Sequence, residues 1–188
     1  RVRLEGLSLT PQEAGELEKL IIVACGTSSY AALVGKFMIE ALARLPVEVD
    51  YGSEFRYRDP LIGPRTAVLA ITQSGETVDT LAAMEEGQSK GARLWAIVNV
   101  IGSQAHRVAS GSIQMHAGPE IGVASTKAFT ASLVDQYLLG CYLGELRGVL
   151  TGQRLRQRVD DLASLPDRVG RALEHGDEYA QLAQAFHD

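Results

Sequence analysis

Short strand-like runs that alternate with longer stretches of helical spacing are the feature that most limits how this chain can fold. Three apolar runs, one alternating segment and one weaker strand-like segment predict strands at 20–24, 47–51, 67–71, 94–98 and 112–115. Strands that alternate with helices form parallel sheets with helices on both faces, and near-continuous apolar runs are typical of strands buried on both sides. The sequence therefore predicts an α/β fold built on a five-stranded parallel sheet.

The helical pattern also suggests how the chain is divided. A capping box with proline at the first helical position, Thr10-Pro11-Gln12-Glu13, predicts a short first helix. A long helix is expected over about 125–146, and only helical patterns follow Gly148. We therefore expect an N-terminal linker with a short helix at 1–19, a main domain at 20–148 and a helical connector at 149–188.

Composition excludes several classes of partner. The net charge is −5, whereas nucleic acids and anionic membranes bind cationic surfaces, so neither is expected as a partner. The most apolar late segment, 131–144, is interrupted by Asp135 and Gln136 and is too short to span a bilayer.

Cys25 and Cys141 are predicted to be reduced core thiols of a cytoplasmic protein. Because the chain starts at Arg1 without a methionine, we expect it to be a fragment.

The segment TQSGET at 72–77 follows a predicted strand and precedes a predicted helix, and it has the composition of an anion site. Gly75 allows a tight turn, and the free N–H groups and dipole of a helix start favour a phosphate. Further donors come from the side chains of Thr72, Gln73, Ser74 and Thr77. The loop contains no Lys or Arg, which favours a neutral site for a small phosphorylated metabolite over a nucleotide P-loop.

A second loop, Gly26-Thr27-Ser28-Ser29, repeats this order of strand, glycine, hydroxyl groups and helix start. The carboxyl ends of parallel strands lie at one edge of a sheet, so the two loops are expected to face a common ligand. The ordinary alternative is that Ser28 or Ser29 only caps its helix. For Ser29 the sequence leaves capping and ligand contact open.

The third candidate segment lies at 119–130. Gly122 permits a close approach of the backbone, and Ser125 or Thr126 can cap the long helix that follows. Lys127 lies near the start of that helix, where the dipole disfavours a positive charge. This position suggests a partner, either Glu120 or a bound anion; we favour a solvent-exposed lysine or a pair with Glu120.

Candidate catalytic groups are sparse elsewhere. The histidines lack metal-ligand spacing and are predicted to be structural, so no metal is expected; they are His106, His116, His175 and His187. No nucleophile triad, dinucleotide motif or pair of carboxylates stands out, and no cofactor is predicted. Glu54 and Arg56 are expected at a contact between subunits.

Four motifs together resemble the sugar isomerase (SIS) domain family: CGTSS at 25–29, SEFRYR at 53–58, TQSGET at 72–77 and EIGVASTKAFT at 120–130. The similarity covers roughly residues 20–147. More narrowly, the motifs resemble the first of two SIS domains in the family of isomerising glutamine–fructose-6-phosphate aminotransferases. One departure is Thr72, where the family usually has serine, and threonine keeps the hydroxyl. The resemblance implies a flavodoxin-like fold that binds a sugar phosphate.

The resemblance also implies the residues that would hold fructose 6-phosphate. Thr72, Gln73, Ser74 and Thr77 would bind its phosphate. Thr27 and Ser28 would line the same pocket, and Val123 and Ser125 would border the sugar.

The same resemblance implies that the chemistry lies in other domains of a longer polypeptide. A glutaminase domain and a second SIS domain, which supplies the groups for isomerisation, have no counterpart here, so no catalytic residue is expected on this chain. We expect it to bind the sugar phosphate without turnover and to form a homodimer. One alternative is a stand-alone phosphosugar sensor or regulator, although residues 1–19 are too short and too acidic for a DNA-binding region. Another is a compact isomerase with Glu76 or Glu120 as its base.

Overall fold

A computed structural model describes residues 1–187 and divides the chain into two units. The first unit runs from Arg1 to Thr151, and the second begins at Gly152. Within residues 1–187, no helix combines the length and apolar character that crossing a membrane requires.

Five parallel strands form the sheet of the first unit: β1 (Lys19–Ala24), β2 (Val47–Tyr51), β3 (Thr66–Thr72), β4 (Arg93–Val98) and β5 (Gly111–Gln114). Their order is β2-β1-β3-β4-β5, and each neighbouring pair is parallel. This is the strand order of flavodoxin-like folds, so the predicted fold is confirmed. The order changes direction between β1 and β3, where Ala24 pairs with Ile71.

Helices cover both faces of this sheet. One face carries α2 (Thr27–Ala43) and α6 (Lys127–Leu146), with α1 (Pro11–Glu16) beside α6. The other face carries α3 (Gly52–Phe55), α4 (Val78–Ser89) and α5 (Gln104–Val108). Side chains of β1 alternate between the two cores, with Ile22 in the first and Val23 in the second, as the period of a strand requires.

The predicted start of α1 is confirmed in detail. Thr10 Oγ1 accepts a hydrogen bond from the backbone N–H of Glu13 at 3.2 Å, and Glu13 Oε2 accepts one from the N–H of Thr10 at 2.8 Å. These reciprocal bonds satisfy donors that have no partner within the helix. The short helix α5 was not predicted, because five residues are too few to show a helical period.

The N-terminal segment, expected to be a linker, packs against the sheet. Leu7 and Leu17 are buried in the core on the α2 and α6 side. The backbone N–H of Ser112 in β5 donates to Gly6 O at 2.9 Å. Because β5 lies at the edge of the sheet, the segment protects backbone groups that would otherwise be open to pairing.

Close packing of α2 against α6 depends on glycine and on buried polar groups. A Cβ atom at Gly144 would lie 2.4 Å from Leu42 O, so only glycine allows this approach. Gln136 is fully buried, and its Nε2 donates to Ala31 O and Ser132 O, both at 3.1 Å. Asp135, beside it in the sequence, is also buried.

The second unit contains the helices α7 (Gly152–Ala163), α8 (Leu165–Leu173) and α9 (Gly176–Ala185). Between Gly152 and residue 187 the structure has no strand, as the sequence predicted.

Candidate ligand-binding site

Three loops surround a cavity of about 210 Å³ at the carboxyl ends of β1 and β3. Its lining comprises Cys25, Gly26, Thr27, Ser28, Ile71, Thr72, Gln73, Ser74, Thr77, Gly122, Val123 and Ser125. All eight residues predicted to contact a ligand are in this set. The cavity lies where the strand order changes direction, which is the usual ligand position in open α/β sheets.

The loop after β3 is shaped by Thr72. Its Oγ1 accepts a hydrogen bond from the backbone N–H of Gly75 at 3.1 Å and lies 3.4 Å from Thr77 Oγ1. Gly75 has φ of 72°, and a Cβ atom there would lie 1.9 Å from Ser103 Oγ. Thr72 therefore orders the turn, and Gly75 is required both by its backbone conformation and by its close neighbour.

Ser74 and Gln73 lie on the same loop and are half-buried. Ser74 Oγ accepts a hydrogen bond from the backbone N–H of Glu76 at 3.2 Å, which leaves its hydroxyl proton available as a donor. The side chains of this loop thus offer neutral donors at the cavity.

Two helices begin at the cavity without side-chain caps. The N-cap of α2 is Gly26 and that of α4 is Thr77, and neither makes a side-chain capping hydrogen bond. N–H groups at a helix start carry a partial positive charge and favour an anion. None of the described lining residues is Lys, Arg, Asp or Glu, so the polarity of the cavity comes from helix dipoles, hydroxyl groups and one amide.

Ser29 takes neither of the roles that the sequence left open. It is buried, its Oγ donates to Gly26 O at 2.7 Å, and it is not part of the cavity lining. The N-cap position belongs to Gly26 instead.

The loop before α6 brings Gly122, Val123 and Ser125 to the cavity. Thr126, one of the two residues predicted to cap α6, is its N-cap, but its side chain makes no capping hydrogen bond. Its φ of −115° and ψ of −65° depart from the extended geometry that a capping side chain needs. Glu120 supplies the cap, since its Oε2 accepts from the backbone N–H of Ala128 at 2.8 Å.

Lys127 is exposed at the start of α6. Glu120, one of its two candidate partners, is committed to the backbone of Ala128. The favoured interpretation of Lys127 as a solvent-exposed lysine agrees with this arrangement.

Asn99, which follows β4, was missed by the sequence analysis. Its Nδ2 donates to Gly118 O at 2.7 Å, and its Oδ1 accepts from the N–H of Ala117 at 3.0 Å. Its own N–H donates to Gln73 O at 3.2 Å. Asn99 thus joins the loop after β3 to the segment after β5. A polar residue directly after an apolar strand was the available signal.

The candidate bases of a compact isomerase are engaged elsewhere. Glu76 is exposed, and its Oε1 accepts from the backbone N–H of Gln104 at 2.8 Å, which caps α5. Neither Glu76 nor Glu120 lines the cavity. No group of three His, Cys, Asp or Glu side chains suited to a metal ion occurs in residues 1–187.

The two cysteines differ in their surroundings. Cys141 is buried in α6, as predicted for a core thiol. Cys25 is only half-buried and lines the cavity, and its Sγ accepts a hydrogen bond from Thr80 Oγ1 at 3.7 Å. It is not a core residue because β1 ends at Ala24 and the chain turns there towards the cavity.

The segment at 53–58, expected to contact another subunit, lies largely at the surface. Phe55 is buried, whereas Arg56, Tyr57 and Arg58 are exposed. Arg58 pairs with Asp50, and the Arg56 guanidinium lies 4.6 Å from the centre of the Tyr57 ring.

Comparisons with known proteins identify relatives of this chain. The isomerising glutamine–fructose-6-phosphate aminotransferase of Clostridium tetani is 44% identical over 186 residues, which is 99% of this chain and 31% of that protein. The enzyme of the same name from Thermus thermophilus is 46% identical over 182 residues, covering 97% of this chain and 30% of its own length. The chain thus spans less than a third of these curated relatives.

A solved structure has the same fold. The C-terminal domain of glucosamine-fructose-6-phosphate aminotransferase from Francisella tularensis superposes with a TM-score of 0.90 and 34% identity, over 95% of this chain and 51% of that one. The sequence pattern of the SIS domain matches residues 16–139, which include β1 to β5, the cavity loops and most of α6. The chain therefore belongs to the SIS domain family.

Proposed function

We propose that this chain is a domain that binds fructose 6-phosphate, and that it is the first of two SIS domains in an isomerising glutamine–fructose-6-phosphate aminotransferase. The complete enzyme would make glucosamine 6-phosphate and glutamate from fructose 6-phosphate and glutamine, for amino-sugar synthesis in the cytoplasm. The similarity to the enzymes of Clostridium tetani and Thermus thermophilus supports this proposal.

The observation that carries the proposal is the cavity with two uncapped helix starts and no charged lining residue. A phosphate placed between the starts of α2 and α4 would accept hydrogen bonds from backbone N–H groups and from the hydroxyl groups of Ser74 and Thr77. The volume of the cavity, about 210 Å³, is below the range of about 300–1,000 Å³ that is typical of sites for drug-sized ligands, and it suits a small metabolite.

Binding without turnover is the expected property of this chain alone. Aldose–ketose isomerisation needs an acid or base within hydrogen-bond reach of the reacting carbons. The described residues around the cavity include no His, Glu, Asp or Lys. We therefore assign binding of the phosphate and sugar to the residues of this cavity, and we assign proton transfer to another domain. Phosphate binding would contribute to that reaction by positioning.

We further propose that the chain pairs with a second copy and, within the complete polypeptide, with a second SIS domain to which residues 149–188 connect. Large apolar side chains at helical spacing along α2 are exposed, namely Tyr30, Leu33, Val34 and Phe37. Contiguous exposed apolar groups of this kind favour protein–protein contact. Sedimentation at micromolar concentration tests the pairing, and a species that stays monomeric contradicts it.

The test of ligand binding is a calorimetric titration of the whole chain with fructose 6-phosphate, inorganic phosphate and fructose. We expect saturable binding of the phosphosugar, weaker binding of phosphate and none of fructose. Ser74→Ala should weaken binding of the phosphosugar, whereas Ser89→Ala, the same change at the far end of α4, should not. Equal binding by both variants would contradict the assignment of the site.

A stand-alone sensor or regulator is the alternative from a different class, and it shares the binding result. It differs in needing no other domain, so under this alternative adding a glutaminase domain and a second SIS domain to the chain should produce no amino-sugar synthesis. A compact isomerase predicts interconversion of sugar phosphates by the isolated chain and its loss in Glu76→Gln. We expect no interconversion, because Glu76 is bonded to Gln104 outside the cavity.

A further inference from the structure

A second cavity, of about 520 Å³, lies between the N-terminal segment, the edge strand β5 and α6. It shares no lining residue with the first cavity. Its volume falls within the range of about 300–1,000 Å³ that is typical of small-molecule sites. It therefore has room for a ligand of its own.

Asp135 is the group in this cavity that lacks a partner. The residue lines the cavity and is only 7% exposed, and its buried Oδ2 makes no hydrogen bond within residues 1–187. Buried polar atoms are nearly always paired, and an unpaired carboxylate in the interior costs free energy. Burial raises the pKa of Asp135 to about 7, so the carboxyl group is partly ionised at neutral pH.

The surroundings restrict what can pair with this carboxylate. A divalent metal ion needs several oxygen ligands, and the described residues provide no group of three candidate side chains. Arg3 lines the same cavity but is exposed, and Asp135 Oδ2 remains without a partner beside it. An ammonium group supplies three donors and one positive charge, which matches a single carboxylate.

The remaining lining fits the carbon chain of such a ligand. Leu4, Ile113 and Leu138 provide apolar surface, and Gln114 adds a polar side chain. We propose that this cavity is a binding site for an organic ammonium ion, held by the Asp135 carboxylate with its alkyl part against Leu4, Ile113 and Leu138. The site is independent of the proposed sugar-phosphate cavity.

The test is an NMR titration of the whole chain with n-butylammonium chloride, at constant ionic strength, beside the uncharged isostere 1-butanol. At pH 8 we expect saturable shifts at the amides of Ser112, Gln114 and Asp135 with the amine and none with the alcohol. Binding at pH 6 should be about tenfold weaker, because the ionised fraction of a carboxyl group with pKa about 7 falls by that factor.

The charged and titratable residues that line this cavity together with Asp135 are Arg3, Glu5 and His116. Asp135→Asn keeps the shape and should abolish binding of the amine, whereas Glu5→Gln should keep it. Histidine is the side-chain type that ordinarily titrates between pH 6 and 8, so the pH comparison is repeated with His116→Gln and should persist.

Three results would overturn the proposal: equal shifts with 1-butanol, unchanged affinity in Asp135→Asn, or a carboxyl pKa of Asp135 that the amine does not lower. The first and third are measured on the unmodified chain, so they decide the matter even if Asp135→Asn fails to fold.

Discussion

The carboxylate of Glu120 accepts a hydrogen bond from the backbone N–H of Ala128 at 2.8 Å, across eight residues of chain. The loop between them carries Val123 and Ser125 to the cavity. Just before this loop, Asn99 Nδ2 donates a hydrogen bond to Gly118 O. Both ends are thus fixed, while the side chain of Val123 is fully exposed at its middle.

Replacing Glu120 should loosen this loop. In Glu120→Ala the start of α6 loses its cap, at a cost of about 0.5–2 kcal/mol in unfolding free energy. We expect the affinity for fructose 6-phosphate to fall several-fold in calorimetry. Glu120→Gln retains an acceptor oxygen and should show a smaller loss. The exposed Glu85 serves as the control, and a decrease of the same size in Glu85→Ala would contradict the role of Glu120.

The hydroxyl of Thr72 should matter more than its methyl group. Thr72→Val leaves the backbone N–H of Gly75 without its acceptor, and an unsatisfied buried donor costs about 1–3 kcal/mol. Chemical denaturation should show this loss, together with weaker binding of fructose 6-phosphate. Thr72→Ser keeps the hydroxyl and should stay close to the unmodified chain. Thr66→Val, the same change at the other end of β3, should leave the affinity unaltered; a matching loss there would mean that threonine is needed only for the strand.

Gly144→Ala should destabilise the first unit. The added Cβ would lie 2.4 Å from Leu42 O, which is a backbone atom and cannot move aside by rotation of a side chain. Overpacking of this kind costs about 1–3 kcal/mol, measured as a lower denaturant midpoint. Gly15→Ala in α1 is the matched control, since apart from its own helix backbone and chain neighbours no atom lies within 4 Å of its Cβ position. A helical Gly→Ala change without a clash should leave stability unchanged or raise it by up to about 1 kcal/mol. Equal effects of the two substitutions would mean that α2 and α6 separate easily.

Asp135 should make stability depend on pH. Burial raises its pKa from 3.8 to about 7 in the folded chain. Between these values the folded state binds the proton that the unfolded state has lost, so the free energy of unfolding decreases as the pH rises through this window. Above pH 7 Asp135 is ionised in the folded chain as well, so the folded chain bears the desolvation cost of a buried carboxylate. Asp135→Asn should then be more stable than the unmodified chain by on the order of 2–4 kcal/mol.

Below pH 4 the two chains should have nearly equal stability, because Asp135 is then protonated in both states. Urea denaturation from pH 3.5 to pH 8 measures the difference. A constant difference across this range would show that Asp135 ionises normally in the folded chain.

The central strands β1, β3 and β4 could be predicted because each is buried on both faces, so apolar character persists along its length. The edge strand β2 is only partly buried and was predicted from its alternating pattern instead. The sequence also predicted that the loops around the first cavity lie near one another, because the carboxyl ends of parallel strands share one edge of the sheet. Whether they bind a sugar phosphate stays a prediction. Asn99 and the capping role of Glu120 were missed because each side chain bonds a backbone group that only the folded loops bring near. The burial of Asp135 could not be predicted from the sequence either, because an acidic residue in a helix ordinarily lies on the solvent side.

The uncharged lining of the first cavity has a consequence for how affinity should respond to acidity. Helix N–H groups, hydroxyl groups and a carboxamide do not gain or lose protons in the physiological range, so the contribution of these donors stays constant there. A phosphate ester, by contrast, takes up a proton near pH 6. Because none of the groups proposed to donate to the phosphate titrates, the change of affinity near pH 6 would come from the ligand, with these groups acting as a dipolar receptor for the dianion.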